Sequence, residues 1–317
     1  MAHLRVFITA VALVLLASTT VLAQDYTVSV SQIVEHPALD ATRQGFMDYL
    51  EDQGLKVEYN VHIAQGNIAT ANQIASQIMD ESPDLVLAIA TPTAQACAQR
   101  IHDIPVLAAA VTDFVGAGLV KSMDNPGANV TGMTDMTPMD MHLALMLEFV
   151  PNAEAVGVIY NAGEDNSVTL VNSLREECEK KGVKLEEATI QNSSGVLQAA
   201  RSLVGKVQAI YIPTDNTVVT ALESAMKVAH ENDIPLFSGD TDSVERGTLA
   251  SLGFDYYNMG RQTGEMAHRI LVEGANPAEM PVETLQNLSL WVNKNAAENM
   301  GVTIPESVLE RADTVLE

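Results

Sequence analysis

The sequence is poor in basic residues, aromatic residues and cysteine. Lys and Arg number 17 against 41 Asp and Glu, which gives a formal net charge of −24. Binding to duplex nucleic acid or to an anionic membrane surface needs clustered basic residues, so we expect neither partner. Two cysteines cannot build a disulfide framework or a four-cysteine zinc site. We therefore expect Cys97 and Cys178 to be buried free thiols. Aromatic residues make up 4% of the chain, so few rings are available to line a pocket.

Long hydrophobic runs are also scarce, and the one exception lies at the start of the sequence. Residues 1–23 combine Arg5, an apolar run over 6–17 and small residues before Ala23. This pattern predicts a secretory signal peptide that is cleaved after Ala23. The apolar run has roughly 12 residues, against the roughly 20 that a membrane-spanning helix needs. We therefore expect an exported, soluble, periplasmic protein.

The full sequence is 47% hydrophobic, and after residue 23 short apolar runs alternate with helical patterns. The runs are not strictly alternating, which is typical of strands buried on both faces of a parallel sheet. We predict strands at 27–31, 56–62, 85–90, 106–110, 129–132, 155–160, 184–190, 209–212, 235–238 and 288–292. Apolar stripes predict helices along Leu39–Leu50, Val171–Cys178, Val218–Ala229 and Met259–Ile270, the last within one long helix over 253–273.

The series is interrupted near its middle, at the turn Asn125-Pro126-Gly127. A second βα series begins at Val156. We therefore predict an α/β fold of two Rossmann-like lobes with parallel sheets. Residues 24–134 plus about 254–284 form the N-terminal lobe, and residues 135–253 plus about 285–317 form the C-terminal lobe. Because each lobe takes one of the last segments of the chain, the chain crosses between the lobes several times. We expect these crossings to act as a hinge.

Polar turns follow many of the predicted strands. In open α/β sheets, ligands bind beyond the carboxyl ends of the strands. Helix capping alone also favours Asp, Asn, Ser and Thr at such positions, so each turn has a structural alternative. The turns are Ser31-Gln32 before His36-Pro37, Thr91-Pro92-Thr93, Thr112-Asp113-Phe114, Asn161–Ser167, Pro213–Asn216 and Gly239–Asp242.

The chemistry of these turns fits a zwitterion. Helix N-termini with hydroxyl and amide side chains, as at Thr91-Pro92-Thr93 and Asn166-Ser167, favour a carboxylate. The turns also carry acids that would hold an ammonium group, namely Asp113, Glu164, Asp215 and Asp240. They contain no Arg or Lys, which disfavours a strongly anionic ligand such as a phosphate.

Several motifs together resemble the substrate-binding proteins of ABC importers in the tryptophan/tyrosine-type group. The motifs are Tyr160–Ser167, Ala90–Ala96, Ile212–Asn216 and Phe254–Tyr257 followed by Gly260–Gly264. The resemblance covers essentially the whole chain after Ala23. It implies the type I periplasmic-binding-protein architecture with a three-segment hinge. It also implies an aromatic or other apolar amino acid as ligand and an ABC permease of the inner membrane as partner.

The resemblance also assigns roles to residues. Asn166 and Ser167 would bind the ligand carboxylate. Glu164, Asp215 and Asn216 would line the polar wall of one lobe, and Thr91 and Thr93 would contribute from the other. Phe114 stands where the family commonly has Pro, so its effect on specificity stays open. Candidates for a ring contact or side-chain pocket are Gln32, Phe114, Tyr160, Phe254 and Tyr256, with core packing as the alternative for each aromatic.

Signals for other chemistries are weak. The sequence contains no G-x-S-x-G elbow, no H-E-x-x-H and no P-loop, and its histidines show no metal-ligand spacing. We therefore predict no enzyme, no cofactor and no metal, and a monomer. The methionines around 133–146 are better explained by packing than by copper binding. Two alternatives stay open: a protein that presents an amino acid, nucleoside or sugar to a membrane sensor, and, more remotely, a periplasmic enzyme.

Overall fold

The structure, a computed structural model, describes residues 25–317, and the predicted signal peptide at 1–23 lies outside them. The strands are β1 Asp25–Gln32, β2 Lys56–Ile63, β3 Leu85–Ile89, β4 Val106–Val111, β5 Val130–Thr134, β6 Ala155–Asn161, β7 Lys184–Ile190, β8 Ala209–Ile212, β9 Leu236–Ser238, β10 Ala250–Gly253, β11 Glu283–Thr284, β12 Ser289–Asn293 and β13 Thr314–Leu316.

Helices fill the connections between these strands. They are α1 Pro37–Asp52, α2 Ile68–Glu81, α3 Thr91–Arg100, α4 Met139–Phe149, α5 Asp165–Lys181, α6 Val196–Leu203, α7 Asn216–Thr220, α8 Leu222–Glu231, α9 Asp242–Arg246, α10 Tyr256–Leu271, α11 Lys294–Asn299 and α12 Glu306–Arg311. No helix in the range 25–317 is long and apolar enough to cross a membrane.

The strands form two separate sheets. The first has the order β11-β5-β4-β3-β1-β2 and is parallel throughout. The second has the order β13-β12-β10-β9-β8-β6-β7, and β12 runs antiparallel to β10. Every residue of β3 and β4 is buried, as expected for central strands covered by helices on both faces. The predicted α/β fold with two mostly parallel sheets is confirmed.

The chain passes between the two sheets three times. It leaves β5 of the first sheet through 135–138, returns after β10 through 254–255, and leaves β11 through 285–288. Each lobe therefore contains one sheet with its helices, and three segments connect the lobes. We keep as a prediction that the two lobes move as separate bodies, with residues 24–134 plus about 254–284 in one and residues 135–253 plus about 285–317 in the other.

The structure differs from the sequence prediction in the last third of the chain. Strand β10 was not predicted, because its four residues are partly small and polar. The long helix predicted over 253–273 begins only at Tyr256, where the Asp255 side chain accepts a hydrogen bond from the Asn258 N–H and caps it. The stripe Val218–Ala229 is divided into α7 and α8 at Ala221. Strand β13 at the sheet edge was also not predicted.

Each lobe has its own hydrophobic core. One core cluster is formed by lobe-one residues and includes Cys97, and the other is formed by lobe-two residues and includes Cys178. Both thiols are buried and unpaired. Met133 and Met146 are fully buried, so these two methionines pack inside the protein.

Helices α1 and α10 touch at their backbones. A Cβ atom added at Gly260 would lie 2.0 Å from the Thr42 carbonyl oxygen, and one at Gly45 would lie 2.1 Å from that of Tyr257. Neither glycine has a positive φ, so close approach rather than backbone conformation requires glycine here. Because α10 directly follows the second crossing, this contact fixes where that crossing enters lobe one.

We expect Gly260→Ala to lower the free energy of unfolding by about 2 to 4 kcal/mol, because the added methyl group must push α10 away from α1. Chemical denaturation of the ligand-free protein measures this change. Gly195→Ala is a suitable control, since its Cβ would meet only the Ile190 side chain at 3.3 Å. Equal stability of the two variants would contradict the close helix contact.

Candidate functional site

A cavity lies between the lobes, at the carboxyl ends of the strands of both sheets. Its empty volume is about 330 Å³, including the part that is open to solvent. Lobe one and the first crossing contribute His36, Ala38, Leu39, Ala110, Thr112, Asp135 and Tyr256. Lobe two contributes Asn166, Thr214, Asp215, Asn216, Val219 and Asp240. A cavity shared by both lobes therefore lies at the strand ends, where the sequence places the ligand-binding turns.

Two strand ends of lobe one are strained near this cavity. Ala90, directly after β3, has φ of 81°, and Ala110, which lies near the end of β4 and lines the cavity, has φ of 55°; this region disfavours residues with a Cβ atom. The N–H of Ala90 donates to the Ala109 carbonyl, so the two strained segments lie side by side. Such strain is concentrated at ligand-binding segments of proteins.

Two buried aspartates face the cavity from opposite lobes. Asp135, on the first crossing, accepts hydrogen bonds from Thr112 Oγ1 at 2.9 Å and from the Tyr256 hydroxyl at 2.9 Å. Asp240 accepts from the backbone N–H and the hydroxyl of Ser243, both at 2.7 Å. Burial raises the pKa of both carboxyl groups. No Lys or Arg is among the described residues that line the cavity.

Glu164 and Asp215 are held by bonds within lobe two. Glu164 accepts from the backbone N–H groups and side chains of Asn216 and Thr217. Asp215 accepts from Asn161 N–H, from the Ser167 hydroxyl and from Val218 N–H, and so caps α7. Burial, followed by the charge of Glu164, raises the pKa of Asp215 to about 7. These two acids therefore hold the turns together.

Several polar atoms at the cavity have no hydrogen-bond partner within the protein. They are Nδ1 of His36, Oδ1 of Asn166 and Oγ1 of Thr214. Burial lowers the pKa of His36 to about 4, so its ring is neutral near pH 7. The Asn166 amide nitrogen donates to the Thr214 carbonyl at 2.8 Å, which leaves Oδ1 as the free atom. Buried polar atoms are nearly always paired, so this group indicates a polar ligand.

The predicted polar residues separate into two sets. Asn166, Asp215, Asn216 and Asp240 line the cavity. The others do not: Thr93 donates to the carbonyls of Ile89 and Ala90, Asp113 accepts from Gly116 N–H, Ser167 donates to Asp215, and Glu164 lies behind Asn216. Thr91 is 1% exposed, with an unpaired Oγ1, at the head of α3.

Of the predicted side-chain pocket and ring candidates, only Tyr256 lines the cavity. Phe114 is fully buried, and both Phe114 and Phe254 belong to the lobe-one core. Tyr160 donates its hydroxyl to Glu187 at 2.8 Å, away from the cleft. Gln32 donates to Val34 and Asp40 and accepts from Arg43.

Sequence reasoning missed other lining residues. Asp135 is not among the predicted site residues, although it lies three residues after the strand predicted at 129–132 and directly after β5 as observed. His36 and Thr112 were noted in turns but not chosen as site residues. The small and apolar lining residues Ala38, Leu39, Ala110 and Val219 carry no chemical signal in the sequence. Within 25–317, no group of three or more His, Cys, Asp and Glu residues could hold a metal ion.

Comparisons with known proteins agree with this geometry. The family model for ABC transporter substrate binding proteins matches residues 27–316. The tyrosine-binding protein of Clostridioides difficile is 42% identical over 272 residues, which cover 84% of this chain and 79% of that protein. The chain therefore belongs to the ABC transporter substrate-binding protein family. Its architecture is the type I periplasmic-binding-protein fold, as the resemblance implied.

Two solved structures are also similar to this chain. One is a Streptococcus pneumonia protein in complex with L-Trp, at 34% identity and a TM-score of 0.89, covering 92% of this chain and all of that one. The other is the ligand-free, open structure of a Clostridium difficile substrate-binding protein with adhesive properties. It is 40% identical at a TM-score of 0.69, covering 92% of this chain and 99% of that one.

The bonds of Asp215 give a prediction about stability. We expect Asp215→Ala to lower the free energy of unfolding of the ligand-free protein by about 2 to 4 kcal/mol, because Asn161 N–H and the Ser167 hydroxyl lose their acceptor and α7 loses its cap. The matched control is Asp113→Ala, which loses one exposed bond to Gly116 and should cost under about 1 kcal/mol. Chemical denaturation compares the two. If Asp215→Ala were as stable as the control, the bracing role would be wrong.

Proposed function

We propose that this protein is the periplasmic solute receptor of an ABC importer and that it closes on an aromatic amino acid, such as L-tyrosine or L-tryptophan. The observation that carries the proposal is a cavity lined by both lobes that combines unpaired polar atoms with buried aspartates and no basic residue. The names of the two ligand-associated relatives, a tyrosine-binding protein and an L-Trp complex, support the choice of ligand class.

We assign the carboxylate of the ligand to the head of α3, which is outside the cavity lining itself but follows β3 at the same sheet edge as the lining residues Ala110 and Thr112. Thr91 Oγ1 is buried there without a partner, beside the strained Ala90. The first backbone N–H groups of a helix have no partner within the helix and attract anions. Asn166 fits this role less well than the family pattern implies, because the atom that it presents is the acceptor Oδ1. We therefore assign Asn166 to a donor group of the ligand.

The amino-acid side chain has an apolar surface available. Ala38 and Leu39 of α1, Ala110 after the strained end of β4, and Val219 of α7 line the cavity together with the Tyr256 ring. Burying an aromatic ring against such a surface is favourable by roughly 25 cal/mol per Å² of apolar area removed from water. A sugar, whose hydroxyl groups need partners all round, fits this lining poorly.

The arrangement of the lobes supports a closed state. The TM-score is higher for the L-Trp complex than for the open structure, although the open protein is more similar in sequence. A hydrogen bond of 2.7 Å from Gln95 on α3 to Asp165 on α5 joins the lobes outside the cavity lining. A ligand that touches both lobes only in this state shifts the population towards it.

The remaining features of the proposal follow from the sequence and the family. The protein would be exported, cleaved after Ala23 and soluble as a monomer in the periplasm. It would deliver its ligand to a permease in the inner membrane, with no turnover of the ligand.

Titration calorimetry on the purified protein tests the ligand class. We expect L-tyrosine, L-tryptophan or both to bind with one ligand per chain and to raise the melting temperature. A set of sugars and nucleosides at the same concentration should give no heat of binding. Binding of a sugar or nucleoside without any aromatic amino acid would contradict the proposal.

Asn166→Ala should weaken binding of the amino acid by about tenfold or more, because the ligand loses a buried hydrogen-bond partner. The control is Asn172→Ala on the exposed side of the same helix, which should bind as the wild type does. Calorimetry at one pH and salt concentration compares the three proteins. Identical affinities for both variants would remove Asn166 from the site.

A further inference from the structure

The cavity brings together two carboxyl groups whose charges the chain does not balance. Asp135 belongs to the first crossing and is bonded to Thr112 and Tyr256 of lobe one, while Asp240 belongs to lobe two. They are 4% and 3% exposed. All their hydrogen-bond donors are neutral groups. Closing the lobes therefore removes two anions from water around one cavity.

We propose that Asp135 and Asp240 act as a charge sensor, so that the cleft closes stably only around a ligand that places a cationic group between them. The proposal rests on the proposed function and deepens it, because it makes the ammonium group the feature that the protein requires. It also distinguishes these two acids, which accept two hydrogen bonds each, from Glu164 and Asp215, which accept more of them and bind turns of lobe two together.

A second observation at the same place points to a ligand donor. Asn166, 4% exposed, presents the unpaired acceptor Oδ1 to the cavity that Asp135 and Asp240 line. Its orientation is fixed by the bond from its amide nitrogen to the Thr214 carbonyl. An ammonium group has three N–H donors, so two carboxylates and one amide oxygen match it in number.

The groups around Asp135 and Asp240 do not supply the positive charge that a ligand would bring. The charged or titratable groups that face it are His36, Tyr211, Asp215, Asp242, Arg246 and Tyr256. Among them only Arg246 is a cation, and it lowers the pKa of Asp240 less than burial raises it. Two Arg246 nitrogens bind Glu223, which already balances much of its charge. His36 is neutral because burial lowers its pKa to about 4.

The effect of pH follows from the direction of the pKa shifts. In the closed state burial raises the pKa of both carboxyl groups, and the charge of Asp240 raises that of Asp135 further. Protonation therefore favours closure of the ligand-free protein as the pH falls. The same protonation removes the charges that hold an ammonium group, so affinity for an amino acid falls with the pH.

An analogue series tests the charge sensor. The probes are L-tyrosine and 3-(4-hydroxyphenyl)propanoate, which lacks only the amino group. On the wild-type protein we expect the analogue to bind about 100-fold or more weakly, because it leaves two buried carboxylates unpaired. Equal affinities would overturn the sensor while leaving the proposed function intact. If neither L-tyrosine nor L-tryptophan bound at all, the proposed function itself would fail.

The variants Asp135→Asn and Asp240→Asn should reverse this preference in part. We expect each to lose about tenfold or more in affinity for L-tyrosine, and to bind the analogue as well as or better than the wild type does. A purely structural role would weaken both ligands together, and that outcome would contradict the sensor. Asp103→Asn, on the exposed surface of lobe one, is the matched control.

A measurement on the wild-type protein covers the case in which a variant does not fold. As the pH is lowered from neutrality, the ammonium group of L-tyrosine stays charged. Affinity for L-tyrosine should fall with the pH, while affinity for the analogue should stay constant or rise. Parallel changes for the two ligands would overturn the proposal.

Discussion

The structure depends on how it accommodates carboxyl groups in the closed cleft. Asp135, Asp215, Asp240 and Glu164 are each at most 4% exposed. Taking an anion out of water is costly unless hydrogen bonds or opposite charge compensate. Glu164 and Asp215 receive that compensation from backbone N–H groups and hydroxyls of lobe two. Asp135 and Asp240 accept only two hydrogen bonds each, fewer than Glu164 or Asp215, which is the difference behind the separate roles proposed for the two pairs.

The fold places these groups through its three crossings. Asp135 lies on the first crossing, and Tyr256, which donates to it, begins α10 directly after the second. The backbone contact between α10 and α1 then fixes Tyr256 relative to the residues that follow His36. The position of Asp135 is therefore coupled to two of the three segments that join the lobes. In the proposed mechanism, this coupling connects recognition of a ligand to closure.

Much of the fold could be predicted from the sequence. The runs that become β3 and β4 are apolar throughout, and the stripe at Leu39, Thr42, Phe46 and Leu50 is buried in α1 as its spacing predicts. Strands β10 and β13 could not be predicted, because they are short and depend on pairing with distant segments. The same limit applies to the helix break at Ala221.

The site was harder to predict than the fold. The sequence identifies which turns lie at the strand ends, but not which side chains bond to one another there. Ser167 and Asp215 lie in two turns that are 48 residues apart in the chain. The sequence of neither turn reveals that the Ser167 hydroxyl already donates a hydrogen bond to Asp215. Asp135 shows the reverse case. In the sequence its segment is typical of a link between lobes, and only its hydrogen bonds with Thr112 and Tyr256 place it at the cavity.

The central claim is that the two lobes close on a ligand held between them. Small-angle X-ray scattering of the ligand-free protein, before and after addition of L-tyrosine or L-tryptophan, tests it most directly. We expect the ligand to lower the radius of gyration and the scattering of the bound protein to match this structure. A bound amino acid, verified by calorimetry on the same sample, with no change in the scattering curve would contradict it.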